Sequence, residues 1–151
     1  MGHVEEGVFT ERTRNPRRGC HGGGDPGQTR QDILAVAAAF NQAREVCYAA
    51  PECPNLEEFM SLFTPGVRRT EIQRNNNVVL LQGPGELRAD HLRVARSFPG
   101  RKLETTSMEV QGRNVVILQL NRDPGAAQPN PFVSVLRVED GKIAHWILIA
   151  P

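Results

Sequence analysis

The sequence predicts an α+β domain in which helices come first and a mostly antiparallel sheet follows. Two observations predict it. Apolar residues recur at helical spacing in three stretches between residues 29 and 100, whereas nearly everything after residue 101 is strand-like and broken by the turn-forming connections GR, RDPGAAQPNP and EDGK.

The first helix opens at T-R-Q-D, and Ile33, Val36, Ala37, Phe40 and Ala43 give it one apolar stripe to about residue 49. Pro51 and Pro54 break it. With Asn55 as N-cap, LEEFMSLF predicts a short second helix presenting Leu56, Phe59, Met60 and Phe63 inward, and TPG is its stop. VRRTEIQ and VVLLQ read as two extended pieces joined through Asn75, Asn76 and Asn77, residues that tolerate a left-handed backbone. GPGELRADHLRVARSFPG supplies a third helix, with proline near its first turn, Leu87, His91, Leu92 and Ala95 on one side, and Pro99-Gly100 as its stop. KLETTSMEV, NVVILQL, PFVSVLRV and KIAHWILI then read as four strands.

A chain of 151 residues, 39% hydrophobic and 23% charged, has the size of one domain, which excludes a multidomain enzyme. Residues 1–28 hold no helical or strand pattern and are expected to be a flexible tail, with residues 29–151 forming the domain. Eighteen Lys and Arg against 17 Asp and Glu give a net charge of +1, so no overall field would gather nucleic acid or an anionic membrane. No apolar run approaches the roughly 20 residues of a membrane span, and a cytoplasmic protein is expected. Cys20, Cys47 and Cys53 are accordingly expected to be reduced thiols, with a Cys47–Cys53 bridge as the alternative. No HExxH, GxGxxG, P-loop or GxSxG motif occurs, so neither metal nor other cofactor is implied.

A long helix, a short helix ending LFTPGVRRTEI, a helix opening GPGELR and a final hairpin VLRVEDGKIAHWILI together resemble the nuclear transport factor 2-like (NTF2-like) superfamily, in its SnoaL-like polyketide cyclase and ketosteroid isomerase branches. The resemblance covers nearly all of residues 29–151. It implies a strongly curved sheet wrapped against helices into a cone, with a deep, mostly apolar pocket for an apolar oxygenated metabolite. The chemistry implied is acid/base catalysis without a cofactor: isomerisation, cyclisation, dehydration or epoxide opening. Residues Phe40, Phe63, Ser134, Leu136 and Ile147 are the expected ligand contacts.

Three side chains are the catalytic candidates. The resemblance places Glu71 where ketosteroid isomerases carry a proton-shuttling aspartate; the alternative is a strand glutamate paired with Arg68, Arg69 or Arg74. By period-two alternation His145 shares a face with Ile143, Ile147 and Ile149, opposite Trp146, and is either a proton carrier in the pocket or a partly buried imidazole bonded to backbone. His91 either forms a dyad with Glu71 or His145 or is packed on its apolar helix face. Ser134 falls near the oxyanion-stabilising position, whereas the helix-one tyrosine of the isomerases is replaced by Val36 and the aspartate that follows Trp in many SnoaL-like cyclases by Ile147. Those departures keep open a second function, a non-catalytic NTF2-like dimer that binds an apolar ligand or serves as an assembly module. Val116, Leu118, Val133, Val135, Trp146 and Leu148 are more apolar surface than three helices cover, so a homodimer through the sheet is expected.

Overall fold

The computed structural model describes residues 28–151. The expected tail, including Cys20, lies outside the described residues except for Gln28, whose side chain donates to the Val138 carbonyl (3.1 Å) and accepts from the Gly141 N–H (3.2 Å). The elements run α1 (Arg30–Tyr48), α2 (Leu56–Met60), β1 (Phe63–Ile72), β2 (Val78–Gln82), α3 (Gly83–Ser97), β3 (Lys102–Gln111), β4 (Asn114–Arg122), β5 (Asn130–Glu139) and β6 (Lys142–Ile149). The six strands form one curved, unclosed sheet in the order β2-β1-β6-β5-β4-β3. Every neighbouring pair is antiparallel except β1 with β6.

Local chemistry explains the boundaries. Thr29 and Asp32 form a reciprocal capping box that satisfies two of the free N–H groups at the start of α1. In α1 the buried positions Ile33, Ala37, Phe40, Arg44 and Cys47 follow one helical stripe that continues past the apolar run. The second helix is shorter than its pattern predicts. Asn55 is at its N-cap, as expected, but the side chain makes no capping bond and instead donates from Nδ2 to the Ala43 carbonyl (3.0 Å), and Phe63 already opens β1. TPG therefore lies inside a strand, where the β1–β6 register shifts between Phe63 and Arg68; an irregular stretch is where a strand accommodates proline. The β1–β2 turn contains Asn76 at φ 64°, the left-handed backbone expected of that asparagine run.

Alternation sets which side chains enter the cone. On β4 Val115, Ile117, Gln119 and Asn121 are buried, and on β6 Trp146 and Leu148. The β5–β6 register shifts between Arg137 and Val138, so Ile143 is buried on the same side as Trp146 instead of sharing the His145 face. Phe40 anchors the core against Phe59, Phe63 and Trp146, with ring centroids 6.1, 6.3 and 5.0 Å away. Burying one such ring contributes about 2–3 kcal/mol. The outer sheet face carries Val116, Leu118, Val133, Val135 and Ile147, of which Leu118 is 41% exposed.

Cys47 and Cys53 are joined by a disulfide with their Cα atoms 4.1 Å apart, which corrects the expectation of reduced thiols there. The turn after Tyr48 brings the two residues together, and Cys53 completes it with a left-handed φ of 52°.

Candidate functional site

A cavity of about 250 Å³ opens between the concave sheet face, the end of α1 and the end of α3. Four arginines reach it: Arg44 from α1, Arg69 from β1, Arg93 from α3 and Arg101 just after α3. Glu71 is the one carboxylate residue on its described lining, which also includes Tyr48, Asn121, Phe132 and Trp146. The walls thus mix charged and apolar groups about evenly, where the resemblance implies a mostly apolar pocket.

Strand geometry brings Arg69 and Glu71 together. Two residues apart on β1, they share a face, and Arg69 Nη2 donates to Glu71 Oε2 at 2.6 Å while Arg69 Nη1 donates to Asp90 of α3. Asp90 also accepts from Arg93 Nη2 at 2.7 Å. Asp123 holds Arg101 in a bidentate pair at 2.6 and 2.9 Å, with the guanidinium lying 4.0 Å from the Phe98 ring centroid.

Arg44 differs from the other three. Its side chain is 3% exposed, Nη1 donates to Gln119 Oε1 at 2.9 Å, and Nε is buried without a partner. No carboxylate among the described residues lies within ion-pair distance of it. The faces of Trp146, Phe40 and Tyr48 surround the guanidinium at 4.9, 5.0 and 5.7 Å. An acceptor bonded to a charged group contributes about 1.5–3 kcal/mol and an aromatic face about 1–2 kcal/mol, comparable to the several kcal/mol that burying an ion costs in a real protein. Arg44 is therefore tolerated in the fold while its charge remains unneutralised. Burial pulls its pKa down, the nearby Tyr48 opposes that, and Arg69 and Arg101 add to the lowering.

Of the residues singled out from the sequence, the structure places Glu71 on the cavity wall, paired with Arg69 as in its alternative reading. His91 is fully buried, stacked on Phe59 with centroids 3.8 Å apart and planes 5° from parallel, and its Nδ1 is 3.4 Å from the Tyr48 hydroxyl. Burial, with Arg44 and Arg69 nearby, pushes its pKa well below the ordinary imidazole value, so the ring is neutral at pH 7. His145 lies on the outer sheet face, with Nε2 3.0 Å from Thr70 Oγ1, because the residue before Trp146 must point away from the cone. Neither imidazole lines the cavity with Glu71, so of the two readings of His91 the structure has the packed one and not the dyad. Phe40, Phe63 and Leu136 pack in the core, and Ser134 is buried as the acceptor for Trp146 Nε1 at 3.2 Å. Ile147 turns to the outer face beside His145. Sequence reasoning missed Arg44, Tyr48, Arg101 and Asn121. The available signal for Arg44 was its place four residues beyond Phe40, on the stripe that faces the core.

Residues 47–146 match the model of the SnoaL-like domain. The chain belongs to that family. No curated protein matches the sequence. Solved structures similar to this SnoaL-like domain include a protein from Jannaschia described as a SnoaL-like polyketide cyclase, at 17% identity and TM-score 0.63, covering 83% of this chain and 90% of that one. A Kribbella flavida protein described as a ketosteroid isomerase aligns at 20% identity and TM-score 0.60, covering 80% and 78%. An LEH-like epoxide hydrolase from M. tuberculosis aligns at 11% identity and TM-score 0.63, covering 80% and 84%. At these identities the likeness shows the shared NTF2-like cone. Within it, the SnoaL-like domain described here has a cavity whose polar groups come from all of its walls.

Proposed function

We propose that the cone cavity is the site of a cofactor-independent small-molecule enzyme in which Glu71 moves a proton on an oxygenated metabolite. One observation carries the reading: Glu71 is the single carboxylate residue on the described cavity lining, and it faces donors on the other walls. A carboxylate that takes a proton next to a carbonyl generates an oxyanion, and Arg44, Tyr48 and Asn121 supply N–H and O–H groups around the space where that charge would develop. Arg69 fixes the Glu71 side chain, so the base is held before substrate arrives. Isomerisation, cyclisation and dehydration next to a carbonyl use this proton transfer; in epoxide opening Glu71 would instead take the proton of the attacking water while a donor on the facing wall protonates the departing epoxide oxygen.

Deuterium incorporation into levulinate and its methyl ester in D2O, followed by proton NMR, tests the role without knowledge of the natural substrate. A positioned base contributes about 10²–10⁴-fold, so Glu71→Gln is expected to lower exchange by about a hundredfold or more. Exchange equal in wild type and Glu71→Gln contradicts the proposal.

A second reading, a non-catalytic ligand-binding protein, is favoured by the Arg69 pairing and by the two histidines lying off the cavity wall. It predicts ligand binding with no exchange above buffer. In either case a second copy covers the outer face formed by Val116, Leu118, Val133, Val135 and Ile147, since a contiguous apolar face is seldom left in water. Sedimentation should give a dimer that Leu118→Lys dissociates; a wild-type monomer at high concentration contradicts this assignment.

A further inference from the structure

We propose that the ligand of this cavity is a monocarboxylate whose anionic group is held by Arg44. The inference rests on reading the cavity as the ligand site and adds the chemical class of what fills it. Four guanidinium groups, Arg44, Arg69, Arg93 and Arg101, meet three carboxylates, Glu71, Asp90 and Asp123, leaving one positive charge over. The geometry assigns that charge to Arg44, because each of the other three arginines has a carboxylate at ion-pair distance.

Arg44 is 3% exposed, lines the cavity, donates from Nη1 to Gln119 and keeps its Nε–H without a partner, so a donor remains on a planar fork whose shape matches a carboxylate. The buried Nε of Arg44 and Nε of Arg69 are both without partners. A buried polar group left unpaired in a closed site is costly, and a bound oxyanion relieves that cost. A monoanion matches the single uncompensated charge, whereas a phosphate dianion would replace it with a net negative one. Phe132, Leu148, Val94 and the face of Trp146 offer apolar surface to the rest of the molecule, which calls for a compact organic acid rather than an inorganic ion.

Calorimetric titration at low salt with cyclohexanecarboxylate and cyclohexanecarboxamide tests the inference, since the two differ chiefly in charge. The acid is expected to bind wild type about ten- to hundredfold more tightly than the amide, the size of a charge-assisted hydrogen-bond contribution. The preference should shrink to within about threefold in Arg44→Met and persist in Arg44→Lys, which keeps the charge. Equal binding of acid and amide by wild type overturns the carboxylate assignment alone and leaves the cavity a ligand site. Binding of neither overturns it together with the reading on which it rests. An undiminished preference in a folded Arg44→Met chain overturns the role of Arg44. The acid and amide comparison is made on wild type and stands even where Arg44→Met does not fold.

Discussion

Arg69 and Glu71 enter one cavity from alternate positions of a single strand and touch at 2.6 Å, while the same guanidinium also holds Asp90 of α3. One buried cation on β1 thereby pairs with a carboxylate of its own strand and, through Asp90, ties the sheet to α3, and removing the shared partner differs from removing either acid. Arg69→Met strips Glu71 of its one ion-pair partner among the described residues and leaves Asp90 with the exposed Arg93 alone, and should cost about 3 kcal/mol. Glu71→Gln leaves the Asp90 pair intact and should cost about 1 kcal/mol. Urea denaturation of both variants checks the order; a larger loss for Glu71→Gln would contradict the shared-cation account.

His91 gives the fold a pH dependence of definite sign. Its pKa is held well below the unfolded imidazole value by burial and by Arg44 and Arg69. Below the unfolded value of about 6.5 the unfolded chain binds a proton that the folded chain refuses, so stability falls as pH falls. The slope from this one site is at most about 1.4 kcal/mol per pH unit. His91→Phe preserves an aromatic ring against Phe59 and should flatten the stability profile between pH 7 and pH 5. Denaturation midpoints measured across that range decide it, and parallel profiles for the two proteins would refute the assignment.

The Cys47–Cys53 bridge closes a short loop directly after the turn of α1 that carries Arg44, and the Tyr48 carbonyl accepts from the Gly100 N–H at 2.7 Å. A loop of this length contributes about 2–3 kcal/mol through the unfolded chain. Reduction should therefore lower the denaturation midpoint, and Cys47→Ala/Cys53→Ala should show the lower midpoint with or without reductant. A wild-type midpoint unmoved by full reduction would show that the bridge does not support the fold.

What the residue pattern reveals here follows from how local its causes are. The helical stripe from Ile33, the asparagine turn and the period-two strands depend on near neighbours, and they yield the helices-then-sheet layout, while the cone and the family enter through the resemblance that the motifs carry together. The second helix ends before its pattern predicts because Phe63 suits either a helix face or a strand start, and pairing with the distant Ile143 decides it. Alternation sets His145 opposite Trp146, but which of the two faces looks into the cavity depends on the curvature of the whole sheet. Cavity polarity was hidden for the same reason. Arg101 meets Asp123 from 22 residues away and Arg44 meets Gln119 from 75, contacts that no short window contains.

Trp146 is the sole tryptophan of the chain and lies on the cavity wall between Arg44 and Arg69, 4.9 and 4.6 Å from their guanidinium carbons. Its emission is therefore a direct report on whether a ligand occupies the space beside Glu71. Titration with cyclohexanecarboxylate should change that emission saturably, with the same dissociation constant that calorimetry gives. Calorimetric binding that leaves Trp146 emission unchanged would place the ligand elsewhere and contradict the cavity as the functional site.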